Sequence, residues 1–97
     1  MARVELAVAA IEDLDGLIRT HSLPSNTRPR VARSLRALER FPLMGPALGG
    51  HWEGFRFLLG PWRWMVLVYV LIEPEDRAVV VTVQDARSSA AASTSRG

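Results

Sequence analysis

The sequence predicts an α+β fold: an N-terminal strand, a helical hairpin, then a three-stranded antiparallel meander, with the helices packed on one face of the sheet. Three observations carry this. Apolar residues recur at helical spacing between Val8 and Leu38. From Glu53 onwards the apolar residues instead form strand-like, β-branched and aromatic runs. Those runs are separated only by Gly60-Pro61 and by Glu73-Pro74-Glu75-Asp76, and turns that short force neighbouring strands to run antiparallel.

Taken in order, "RVELA" (Arg3 to Ala7) alternates enough for a short strand. Ile11, Leu14, Leu17 and Ile18 then mark the buried stripe of a helix running to about Thr20, with Glu12, Asp13 and Asp15 on its outer face. "HSLPSN" is a loop. Asn26 or Thr27 can cap a second helix with Pro29 in its first turn, Val31, Leu35 and Leu38 as its buried stripe, and Pro42 closing it. "PLMGPALGGHWEG" is a Gly/Pro-rich connector. "EGFRFLL", "WRWMVLVYVLI" and "RAVVVTVQD" are the three meander strands, and the first strand is expected to pair beside them. A single domain is expected over residues 1–88, with residues 89–97, small and polar, as a flexible tail.

Composition narrows the function classes. Ninety-seven residues, 48% hydrophobic and 23% charged, make one ordinary globular domain with one core. With no cysteine there is neither a disulfide framework nor a thiolate site. The apolar run from Trp64 to Ile72 is too short for a membrane-spanning helix, which takes about 20 residues. "MARVELAVAAIEDLD" turns acidic too early for a signal peptide, so a cytoplasmic location and no membrane association are expected. No P-loop, dinucleotide fingerprint or zinc motif is present, and neither a metal nor a cofactor is expected. All twelve basic residues are arginine, which fits a GC-rich genome and equally fits bidentate phosphate contacts.

Strand alternation assigns the faces. A two- or four-residue turn at Gly60-Pro61 puts Phe55, Phe57, Leu59, Trp62, Trp64, Val66, Val68 and Val70 on one face, joined by Val79, Val81 and Val83. That face is apolar throughout and is expected to pack on the helices. The other carries Arg56, Leu58, Arg63, Met65, Leu67 and Tyr69, with Val80, Thr82 and Gln84. Arg87 follows the last strand near the same end. Arg56, Arg63 and Arg87 are thus expected to converge on one open patch suited to a phosphate-bearing ligand, with Gln84, Thr82 and Trp52 as further binding residues. The plainer alternative is that each arginine is solvated or paired with an acid such as Glu53 or Asp85. His21 and His51 stand in loops with no partner at triad-like or metal-ligand spacing and read as surface. The helix-two arginines Arg30, Arg33, Arg36 and Arg40 read as a mostly solvated face.

The helical hairpin ending in "LERFPLMG", followed by "WEGFRFLLGPWRWMVLVY" and "VVVTVQDARSS", resembles the RelE/ParE superfamily of toxins from type II toxin–antitoxin systems over roughly residues 3 to 89. The resemblance implies a toxin held inactive by a cognate acidic antitoxin in a hetero-oligomer. In the RelE-like branch it implies a ribosome-dependent mRNA endonuclease, in which the ribose 2′-hydroxyl attacks the adjacent phosphate and basic residues stabilise the developing charge. Arg56, Arg63 and Arg87 match the family's basic positions and would be the catalytic set. The chain departs from that branch in two places. Serines follow Arg87 where a tyrosine or histidine is usual, and Gly54 stands where a second basic strand residue is usual. Arginine is a poor proton shuttle, so binding and electrostatic stabilisation are what these residues supply. The alternatives are a ParE-like inhibitor of DNA gyrase without nuclease activity, or a non-catalytic binding module on the same fold.

Overall fold

The computed structural model describes residues 1–87, so the tail expected at 89–97 lies outside the described residues. Strand β1 (Arg3–Leu6) leads into helix α1 (Val8–Thr20), then helix α2 (Thr27–Leu35), which tightens into a 3-10 turn at Arg36–Glu39. After the connector come β2 (Arg56–Leu59), β3 (Met65–Ile72) and β4 (Arg77–Asp85). The sheet order is β1-β4-β3-β2. β2, β3 and β4 form the antiparallel meander, and β1 lies parallel to β4 with Arg3 opposite Arg77 and Leu6 opposite Val80. The expected α+β architecture is therefore the observed one. No helix among the described residues is long and apolar enough to cross a membrane.

The core joins Ala10 and Leu14 of α1, Val31 and Leu35 of α2, and Leu38 to Met65, Leu67, Tyr69, Ala78, Val80 and Val83 of the sheet. This inverts the face expected from alternation. The pairing parity holds, because Leu59 still shares a face with Val66 and Leu58 with Leu67. What differs is which side the helices cover: they pack on Leu58, Met65, Leu67 and Tyr69, leaving Val66, Val68 and Val70 to the opposite face. Both faces are apolar along β3, so alternation alone does not distinguish them.

Two further departures have local causes. Trp62, Arg63 and Trp64 belong to the β2–β3 turn, closed by bonds from the Gly60 amide to the Met65 carbonyl (2.8 Å) and from the Met65 amide to the Trp62 carbonyl (3.0 Å). The pairing also slips between Val68 and Tyr69, so that Val68 opposes Thr82 while Tyr69 opposes Val80. Val81 is the extra residue of this bulge. Beyond it the faces of β4 exchange, which sends Val83 to the core and aligns Thr82 and Gln84 with Val68 and Val66.

Each sheet edge has a distinct cover. The connector lies along β2, with bonds from the Phe57 amide to the Pro46 carbonyl and from the Leu48 amide to the Phe55 carbonyl. β1 covers only the first half of β4. Past Val80 the carboxylate of Asp13, on α1, takes the Thr82 hydroxyl at 2.6 Å and the Val83 amide at 3.2 Å. An exposed strand edge invites pairing with another chain, and a carboxylate across it blocks that. At the other end Arg77 bridges Glu5 and Glu75, tying β1 to β4.

"FPLMG" acquires a physical reason here. The hydroxyl of Tyr69, fully buried, accepts from the Gly45 amide (3.0 Å) and donates to the Pro42 carbonyl (2.9 Å). A Cβ at residue 45 would collide with the Phe57 carbonyl and the Tyr69 hydroxyl, so only glycine fits.

Candidate functional site

The strand ends at the β2–β3 turn, the C-terminus of β4 and the start of the α1–α2 loop meet at one place. The Ala86 amide bonds the Trp64 carbonyl, which sets Arg63 and Arg87 each one residue from the same backbone contact. α1 ends in Thr20, and its last amide bond, from His21 to the Leu17 carbonyl, aims the imidazole at the sheet.

Aromatic rings form the floor. Trp62 and Trp64 stack with centroids 6.1 Å apart, and the His21 ring stacks on Trp64 at 4.8 Å and 18°. Cations cap this stack: the Arg30 guanidinium lies 4.5 Å from the Trp62 ring and that of Arg87 lies 4.9 Å from Trp64. Attraction between a guanidinium and an indole face is worth about 0.5–1 kcal/mol at exposed sites.

One carboxylate organises the cations. Asp85 Oδ1 accepts from the Arg87 amide (2.8 Å) and Nε (3.0 Å), and Oδ2 accepts from Arg87 Nη2 (2.9 Å) and His21 Nε2 (2.9 Å). The Arg87 guanidinium is the main reason the Asp85 carboxyl titrates well below the usual carboxylate range; partial burial opposes it, and the Arg87 amide and His21 add to the lowering. Asp85 in turn raises the Arg87 guanidinium above its ordinary value. Arg87 stays largely exposed, and its Nη1 makes no hydrogen bond among the described residues. Arg63 is exposed on the neighbouring turn and makes no ion pair among the described residues.

The six residues expected from sequence are distributed as follows. Arg63 and Arg87 each stand one residue from the Trp64–Ala86 backbone contact at this end of the sheet. Arg56 does not join them: it lies opposite Tyr69, with Nη1 donating to the carbonyls of Gly45 (2.8 Å) and Leu43 (3.3 Å), where it holds the connector. Thr82 is bonded to Asp13, and with Gln84 it lines an open groove between α1 and β4 that also includes Glu12, Gly16 and Thr20. Trp52 sits in a 3-10 turn at Gly50–Trp52, edge-on to Phe55 at 5.4 Å. His21, Arg30, Trp62, Trp64 and Asp85 were not among the expected site residues. His21 and Asp85 are 64 positions apart, and only the packing of α1 against β4 brings them together. The one local signal was an acid two residues before Arg87.

Among the described residues no group of histidine, aspartate and glutamate side chains could hold a metal ion. The arrangement instead offers positive charge and aromatic surface, which suits a phosphate carried on a stackable framework.

Comparison with known proteins agrees with the architecture. No protein-family model and no curated protein matches the sequence. Among solved structures, the chain is similar to one from the toxin–antitoxin complex RelBE2 of Mycobacterium tuberculosis, at 22% identity and a TM-score of 0.59, covering 87% of this chain and 96% of that one. It is also similar to the conserved hypothetical protein HP0894 of Helicobacter pylori, at 22% identity and a TM-score of 0.60, covering 88% and 94%. A copper-bound mutant toxin from Helicobacter pylori matches at 22% identity and a TM-score of 0.58, again over 88% and 94%. Nearly whole-chain superposition at this low identity is a likeness of fold, and this chain shares its fold with these three structures.

Proposed function

We propose that this protein is the toxin of a type II toxin–antitoxin pair and that it acts on RNA as a ribosome-dependent mRNA endonuclease. The observation that supports the reading is that the Arg87 guanidinium lies over the stacked Trp62 and Trp64 at the backbone contact that also neighbours Arg63. In the cleavage step a ribose 2′-hydroxyl gives its proton to solvent as its oxygen bonds to the adjacent phosphorus, and the bond to the 5′-oxygen breaks as that oxygen takes a proton from solvent. Negative charge builds on the phosphate oxygens, and fixed guanidinium groups stabilise it. Arg63 and Arg87 are assigned that contact. Arg56 is assigned to the connector it holds, and Gln84, Thr82 and Trp52 to the flanks of the RNA path. Likeness to a chain from a toxin–antitoxin complex supports an antitoxin as partner.

A second reading is favoured by one observation. The sheet face away from the helices carries Leu59, exposed, and Phe57, Val66 and Val70, half-buried, so that its β2–β3 part is apolar rather than basic. Such a surface suits a protein target, so inhibition of DNA gyrase, or simple binding without catalysis, is the alternative.

Arg63→Ala and Arg87→Ala should each relieve growth arrest on induction while circular dichroism stays unchanged. Toxicity that survives both substitutions refutes the site. Purified protein that truncates mRNA in a translation extract and leaves supercoiling normal supports the nuclease. The reverse pattern establishes the gyrase reading.

A further inference from the structure

Both ring nitrogens of His21 have oxygen partners. A carboxylate only accepts, so Nε2 donates to Asp85 (2.9 Å). The Thr20 hydroxyl donates its one hydrogen to the Gly16 carbonyl (2.9 Å), so toward His21 Nδ1 (2.8 Å) it can only accept. With both contacts made at once, each ring nitrogen faces an oxygen able to accept from it, an arrangement that the imidazolium satisfies. Asp85 has four acceptor positions, and Arg87 and His21 fill all four. The guanidinium is held on one edge by the carboxylate and lies over the same indole on which His21 stacks. Its remaining edge, at Nη1, points away from Asp85.

We propose that His21 and Asp85 are positioning residues for Arg87, fixing its guanidinium against Trp64 so that the Nη1 edge is presented to an RNA phosphate. This rests on the reading of Arg87 as a phosphate contact. Asp85 alone would orient Arg87 but cancel its charge. The imidazolium restores one positive charge to the network while leaving the orientation intact. An arginine fixed beforehand loses less side-chain freedom on gripping its ligand, and small misplacements of such a group cost rate steeply. The charged groups beside His21 and its aromatic stack are Asp85 at the end of β4, Arg87 just past that strand, and Arg30 of α2 across the tryptophans; Arg19 lies two residues earlier on α1 and Arg63 one residue before Trp64. Among the described residues, Asp85 is the carboxylate hydrogen-bonded to His21.

Two measurements on the full chain separate the inference from the reading beneath it. The first uses nitrogen-15 NMR of the protein alone. The Arg87 Nε–H should be protected from exchange in the wild type, lose protection in Asp85→Asn, and lose part of it in His21→Ala. A wild-type Arg87 Nε–H that exchanges as fast as a free arginine overturns the inference whatever the activity is. The second uses mRNA cleavage in a translation extract over about pH 5 to 8, the range in which histidines change charge. Wild-type activity should fall as pH rises through that range. His21→Gln, which can still donate to Asp85 but carries no charge, should be slower at low pH by on the order of tenfold and should lose the pH dependence. If Arg87→Ala cleaves at the wild-type rate, the reading of Arg87 falls and takes the inference with it. If Arg87→Ala is inactive while His21→Gln and Asp85→Asn keep the wild-type rate and pH profile, the reading stands and the inference is overturned.

Discussion

Tyr69→Phe removes one oxygen atom and should unfasten the connector from the core. The ring stays, so the buried apolar contact is unchanged and the effect isolates the hydroxyl. That hydroxyl is the acceptor for the Gly45 amide and the donor to the Pro42 carbonyl, and both Tyr69 and Gly45 are buried. Orphaning the Gly45 amide costs about 1–3 kcal/mol. The half-buried Pro42 carbonyl can take water and adds little, so the expected loss is about 2–3 kcal/mol. For a domain of this size that lowers the melting temperature by roughly 10–20 °C. Urea unfolding followed by tryptophan fluorescence is the assay: the midpoint should fall while the slope stays constant, because the area exposed on unfolding is the same. A loss below about 0.5 kcal/mol, within the range of ordinary surface substitutions, would refute the reasoning. The connector would then be held by Arg56 and the strand-edge bonds alone.

Two further outcomes follow from the same bookkeeping of polar groups. Asp13→Ala leaves the Thr82 hydroxyl and the Val83 amide unpartnered on the open half of β4. It should cost about 1–2 kcal/mol and raise concentration-dependent association in light scattering; a monodisperse variant of unchanged stability refutes the edge-blocking role. Asp85, whose carboxyl Arg87 holds below the usual range, should stabilise the fold fully above about pH 4 and lose that contribution as pH falls below it. Asp85→Asn should flatten that acid limb in pH-dependent unfolding, and an identical acid limb in the variant would show that the pairing contributes no stability.

Much of the architecture was legible because each element announces itself locally. α1 was expected from Val8 to about Thr20 and spans those residues, and β4 matches "RAVVVTVQD" in full. The β3–β4 turn at Glu73–Asp76 is real and places Asp76 in the left-handed region, at φ 51°. Pairing parity was also legible, since alternation is fixed by backbone geometry. The side of the sheet that the helices cover was not, because β3 is apolar on both faces and nothing local favours either. The bulge at Val81 was equally hidden, as "AVVVTV" contains no glycine or proline to signal it.

The site divides in the same way. Arg63 and Arg87 could be grouped from sequence, because both are close in register to a strand end whose pairing the turns dictate. Arg56 was grouped with them on parity alone. Parity gives a face and not a height, and the connector carbonyls of Leu43 and Gly45 claim its guanidinium.

By itself, then, the sequence determined the order of elements, the antiparallel meander and the period that builds each helix and strand. These follow from interactions within a few residues or across a short turn. Tertiary structure alone decided which face became the core, and that Asp85 and Arg87 met His21 and Trp64. Those contacts join positions far apart along the chain, and their geometry is set only when α1 and α2 pack onto the sheet.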